Sequence, residues 1–316
     1  MAKSFPDQEP GTLYLTEGGT ETEIMYKYGY ELPEFAMFTL LENKSAKAEM
    51  RAMFERYLDT VAEYGYCALM GGIDYRASSD WGDKLGYSRQ ALADIQQGCV
   101  EFLRDIAEPY ADQIPRILFA GLLGPRGDAY GTGDQITATE AEDYHSMQLE
   151  SVKAADADLA LAATFNNIPE AIGVARAASK IGIPLCISFS LDSTSRLNSG
   201  PSFREAVETT DTESGEARPQ FYGLNCSHPL EMEPALEPGN WFQRVRMLRP
   251  NAVMMEKIAL CKIGHLEDGD PEELGEQMGS LAQRYAHIDI WGGCCGTCET
   301  HLGQIAGQVA KAFQAH

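Results

Sequence analysis

The stretch LALAATFNNIPEAIGVARAASKIGIPLCISFSLD, residues 159–192, contains one full structural period. LALAATFN (159–166) is apolar nearly throughout, as a strand buried on both faces should be. IPEAIGVARAASKIG then switches to helical periodicity, with Pro169 in its first turn and Gly182 at its end. PLCISFSLD (184–192) is a second apolar run, so the chain reads strand, helix, strand.

The same period extends in both directions and occurs eight times. Upstream runs are LYLTEGG (13–19), YCALMGGI (66–73) and ILFAGLLG (117–124). Downstream runs are FYGLNCSH (221–228), AVMMEKI (252–258) and IDIWGGCCG (288–296). Helical segments lie between them. SAKAEMRAMFERYLDTVAEYG runs from Ser45 to a terminal Gly65, and SRQALADIQQGCVEFLRDIAEPY stops near Pro109. TATEAEDYHSMQLESVKAAD offers Thr137 and Glu140 as a capping box, and PEELGEQMGSLAQRYAH follows the loop EDGD. Eight βα units predict a closed (β/α)8 TIM barrel, a single α/β domain over residues 1–316. An open doubly wound sheet is the alternative, but its G-x-G-x-x-G fingerprint is missing after the first strand. The polar, turn-rich TTDTESGEARPQ (209–220) reads as a surface insertion.

Composition narrows the function. Forty-four per cent of the 316 residues are hydrophobic, enough for a full core. The 47 acidic and 25 basic residues give a formal charge of −22. That excess argues against nucleic acid, whose phosphates would go unneutralised, and against an anionic membrane surface. No window approaches the roughly 18 apolar residues of a membrane span. MAKSFPDQEP lacks the apolar core of a signal peptide. The expected setting is cytoplasmic and reducing. Eight cysteines there read as thiols, metal ligands or core residues, not as a disulfide framework. Oligomeric state stays open, a homo-oligomer included.

In a barrel the chemistry sits at the C-terminal ends of the strands. Two of the strands end in cysteine, GLNC at Cys226 and GGCCG at Cys294 and Cys295. Three thiolates on one dication leave one tetrahedral vertex free, the pattern of a catalytic zinc. Gly292, Gly293 and Gly296 would let the backbone turn sharply enough to aim adjacent thiols inward. Cys298 and His228 are weaker ligand candidates, and Cys295 with Cys298 could instead form a redox pair. Cys67, Cys99 and Cys186 read as small core residues, and Cys261, near the seventh strand's end, as inert.

GLNC followed by GGCCGT resembles the signature of the homocysteine S-methyltransferase family. The likeness runs along nearly the whole chain: TEGGTETEI, YRAS (75–78), GLLGPRGD and PEAIGVARAASKIGIPLCISFSLD resemble further family motifs. It implies a zinc (β/α)8 barrel with Cys226, Cys294 and Cys295 as ligands of Zn2+. It also implies an enzyme that moves a methyl group to the thiol of homocysteine, giving methionine. Donors across the family include S-methylmethionine, S-adenosylmethionine, betaines and, in larger relatives, a methylated folate. The substrate pocket it implies is lined by Glu17, Gly18, Gly19, Tyr75, Arg76, Thr164 and Asn225.

Two positions depart from the family pattern. Glu17 stands where the first strand usually ends in Asp, and Ala163 stands where a Glu usually binds the amino group of homocysteine. Glu17 is expected to take over part of that role. The aromatic runs YKYGYELPEF (26–35) and DYRASSDW (74–81) offer ring faces to a methylated cation. Two rival functions follow from the same residues. One is methyl transfer to another small thiol; the other is a non-catalytic barrel that senses zinc or thiols.

Overall fold

The structure is a computed structural model that describes residues 4–131, 136–255 and 264–314. Eight parallel strands close into one barrel in sequence order. They are β1 (Tyr14–Leu15), β2 (Cys67–Gly71), β3 (Ile117–Leu123), β4 (Leu159–Phe165), β5 (Leu185–Phe189), β6 (Phe221–Asn225), β7 (Val245–Arg249) and β8 (Ile290–Trp291). Closure is made by β1 pairing with both β2 and β8.

Strand periodicity sorts the side chains into two cores. Leu159, Leu161 and Ala163 of β4 point into the barrel with Cys67, Leu69, Cys186 and Ile290. Ala160 and Ala162 face the surrounding helices. Phe5 packs against Tyr14 and Phe221, with ring centroids 5.6 and 5.0 Å apart, in the interior cluster. Cys67, Cys99 and Cys186 are buried, and burial raises each thiol above its ordinary pKa.

The helix ends follow from their capping chemistry. Asn43 caps the helix Lys44–Tyr64, two residues before the expected Ser45 start, and Gly65 ends it in the left-handed conformation. Thr137 and Glu140 form the capping box of Ala138–Ala154. Ile168–Ile181 carries Pro169 in its first turn and stops at left-handed Gly182. No described helix is long and apolar enough to cross a membrane.

Two expectations change. The seventh strand is Val245–Arg249, not AVMMEKI, of which residues 256–258 lie outside the described residues. A search for apolar runs passes over VRMLR because two of its five residues are arginines. Both are buried and paired, Arg246 with Asp289 and Arg249 with Glu17. The supposed insertion TTDTESGEARPQ is half helix. Phe203–Ser214 starts on the Ser202/Glu205 capping box and buries Phe203, Ala206, Val207 and Thr210. Its polar composition hid a one-sided apolar stripe.

Candidate active site at the barrel mouth

β6 ends at Asn225 and passes directly into Cys226, whose φ of +53° is left-handed, a strained conformation for a residue with a β-carbon. β8 ends at Trp291, and the Gly292–Gly293 pair delivers Cys294 and Cys295. The exit of β7 joins the two loops. Cys226 N donates to Arg249 O at 3.2 Å, Cys294 N to Pro250 O at 2.7 Å, and Ala252 N to Cys295 O at 3.0 Å. Gly19 lies so close beneath that a β-carbon there would meet Cys294 O at 2.5 Å. Gly296 reverses the chain at φ +82°.

The three sulfur atoms therefore converge. All lie within 4.8 Å of one another, and Cys226 Sγ is 3.6 Å from Cys295 Sγ. Sulfurs about 2.3 Å from a tetrahedral zinc would be about 3.8 Å apart, so the donor set fits one dication. As thiols they hydrogen-bond one another, and this sets Cys226 apart from the other two. Hydrogen bonds from Cys294 and Cys295 hold Cys226 well below the ordinary thiol range, against burial, and the Tyr130 hydroxyl adds a further bond. The same bonds to Cys226 push Cys294 up to about 12 and raise Cys295 as well.

The other candidate ligands stand apart. Cys298 Sγ lies 3.5 Å from His301 Nδ1, at the start of the helix Glu299–Gln314, and the His301 ring donates from Nε2 to Asp268 O. His228 caps the short helix Pro229–Met232, accepting from Leu230 N at Nδ1. Among the described residues only Cys226, Cys294 and Cys295 form a metal-sized group. Cys261 lies outside the described residues.

The sulfurs open onto a cavity of about 410 Å³. All seven residues expected in the substrate pocket line it: Glu17, Gly18, Gly19, Tyr75, Arg76, Thr164 and Asn225. Asn225 joins β4 to β6. Its Oδ1 accepts from Thr164 N and its Nδ2 donates to Thr164 Oγ1, both at 2.9 Å, and Nδ2 lies 3.8 Å from Cys294 Sγ. Thr164 is also left-handed, at φ +63°, and is hydrogen-bonded to Tyr75. Arg76 donates to Gly127 O and lies over the Trp81 ring at 4.5 Å, with Lys84 at 3.9 Å from the same ring. The Trp81 ring is thus already engaged by the protein's own cations. Ala163 adds only a methyl group to the wall.

Glu17 does more than line the cavity. Its Oε1 is 2.5 Å from Arg249 Nη2, and its Oε2 accepts from Gly71 N at 2.7 Å. Arg249 also donates from Nε to Gly293 O at 3.1 Å, next to Cys294. Arg249, Tyr130 and Glu21 line the cavity and were missed from the sequence. Misplacing β7 hid Arg249. Tyr130 lies in the loop after GLLGPRGD, and Glu21 sits within the quoted TEGGTETEI, where an acid among acids gave no signal.

Solved structures share this architecture. The metallated form of the homocysteine methyltransferase MmuM from Escherichia coli superposes with a TM-score of 0.72 at 19% identity, covering 95% of this chain and 97% of that one. Its oxidized form gives 0.72 at 20% identity, covering 93% and 95%. Its apo form gives 0.66 at 18%, covering 96% and 97%. At such identities the likeness is one of fold. No curated protein matches the sequence. The family model for homocysteine S-methyltransferase, however, matches residues 14–309, which include the whole barrel and every cysteine described at its mouth. The chain therefore belongs to the homocysteine S-methyltransferase family and is an S-methyltransferase.

Proposed function

We propose that the protein transfers a methyl group from a small methylated cation to the thiol of homocysteine, giving methionine, with Zn2+ held by Cys226, Cys294 and Cys295. The observation that carries this reading is the convergence of three thiols on one cavity of mixed acidic and aromatic lining. A dication there, with one vertex free, would deprotonate an acceptor thiol whose ordinary pKa is about 8.5.

The chain's own residues supply the rest. Asn225 and Tyr130 hydrogen-bond the cysteine sulfurs, and Arg249 sets their orientation through Gly293 O. Five carboxylates line the cavity, from Glu17, Glu21, Glu34, Asp128 and Glu267, against two guanidinium groups and one imidazole, which suits a cationic donor. Phe35 and Tyr130 offer aromatic surface to an onium group. As the new C–S bond forms, the donor's C–S⁺ or C–N⁺ bond breaks and its charge is quenched. The leaving group is neutral, the thiol proton passes to water, and no general acid is required. Glu17 contributes to acceptor binding with a charge it shares with Arg249. A cytoplasmic setting suits the site, since free thiols stay reduced there.

A second reading, methyl transfer to another small thiol, is favoured by the uncharged wall at Ala163. One experiment tests both. The full-length protein is assayed for bound zinc and for methyl transfer from S-methylmethionine, S-adenosylmethionine and betaine to homocysteine and other thiols. One zinc per chain and methionine from an onium donor are expected, both lost in Cys226→Ser. Zinc-loaded protein that methylates another thiol and not homocysteine would establish the second reading instead.

A further inference from the structure

After β1 three acids fall within seven residues, 17–23, and the structure treats them differently. Glu17 is paired with Arg249. Glu23 is paired with Lys27 and Arg56, at 3.1 and 2.7 Å. Glu21 lies in the first turn of the helix Thr20–Tyr26 and lines the cavity. Its carboxylate accepts only from Thr20 Oγ1, at 3.2 Å, among the side chains of the described residues, and no described Lys, Arg or His forms an ion pair with it. Among the described residues the acid without an ion-pair partner is thus one that faces the substrate cavity; Arg249 feels its charge from a distance but is in direct contact with Glu17. A carboxylate in that cavity wall carries a desolvation cost, which a cation bound from solution would relieve.

We propose that Glu21 binds the ammonium group of the amino-acid thiol acceptor, an assignment that rests on the reaction proposed above. The chemistry separates acceptor from donor. An ammonium carries three N–H donors and matches carboxylate oxygens. A fully methylated onium centre has none and is served by the ring faces of Phe35 and Tyr130. Glu17 is tied to Arg249 by direct contact; Glu21 makes no such contact and is the freer of the two to take an ammonium.

The test is Glu21→Gln, which keeps the side chain's shape and its bond from Thr20 while removing the charge. KM is measured for homocysteine and for 4-mercaptobutanoate, the same thiol without its amino group, together with the donor KM and bound zinc. The homocysteine KM should rise about 10-fold or more. The 4-mercaptobutanoate and donor KM values should stay within about twofold, with zinc unchanged. An equal rise for both thiols, a rise confined to the donor, or an unchanged homocysteine KM overturns the assignment. A wild type that makes no methionine overturns the proposed reaction and this assignment together. A wild type that does, with homocysteine KM unmoved in E21Q, overturns the assignment alone.

Discussion

Arg249→Met removes the cation at the centre of the barrel mouth. Arg249 is 5% exposed, and its guanidinium touches Glu17 at 2.5 Å and donates to Gly293 O at 3.1 Å. Without it Glu17 keeps, among the described residues, only the Gly71 amide as a partner for a buried charge. Breaking a buried pair from one side costs about 3–5 kcal/mol. The unfolding entropy of a 316-residue chain is roughly 0.7 kcal/mol/K, so Tm should fall by about 5–8 °C. Glu17→Gln should cost less than half as much, because the guanidinium it leaves behind still faces the Cys294 and Cys226 sulfurs. The double variant should be more stable than the two single losses predict, by about 1–3 kcal/mol. The assay is thermal and urea unfolding of the three variants beside wild type. Additive losses within about 0.5 kcal/mol, or an Arg249→Met Tm within 2 °C of wild type, would refute the idea that this pair organises the mouth (about 2 °C is the resolution needed).

Two further outcomes follow from the site and its support. Cys298→Ser should leave zinc content nearly unchanged, because its sulfur sits with His301 and outside the three-thiol group; metal loss as complete as in Cys226→Ser would make the site four-cysteine and end the open-vertex reading. Asp74 is fully buried, accepts from Leu122 N and leaves Oδ2 without a hydrogen-bond partner among the described residues, and burial raises its carboxyl to about 7. Between about pH 4 and 7 the folded chain then holds a proton that the unfolded chain has released, so this group's contribution to stability falls as pH rises through that window. Urea unfolding should show the stability difference between wild type and Asp74→Asn shifting by on the order of 2–4 kcal/mol across it, and a flat difference would contradict the assignment.

The barrel was legible because its signals are local. Strand runs, Pro169 and Gly182 around one helix, and the Thr137/Glu140 box each express backbone chemistry over a few residues. Cys226, Cys294 and Cys295 were legible for the same reason, since each follows an apolar run at the end where a barrel carries its chemistry. The misread elements broke the composition rules through tertiary contacts. VRMLR is a buried strand only because Asp289 and Glu17 neutralise its arginines, and FREAVETTDTES is a helix whose apolar face is narrow.

By itself, then, the sequence determined a (β/α)8 barrel, its family, and which thiols stand at the strand ends. Only the tertiary structure decided how charge is distributed around them. Glu17 and Arg249 are 232 residues apart in the chain, and Cys226 and Cys295 are 69 apart. Their pairing follows from the register with which β6, β7, β8 and β1 close the barrel, and no local pattern encodes it. That closure gives Glu17 and Glu23 direct ion pairs and turns Glu21 toward the cavity with none among the described residues, although the three acids look alike in sequence. A carboxylate's role depends on the charge within a few ångströms, and in a closed barrel those neighbours come from distant parts of the chain.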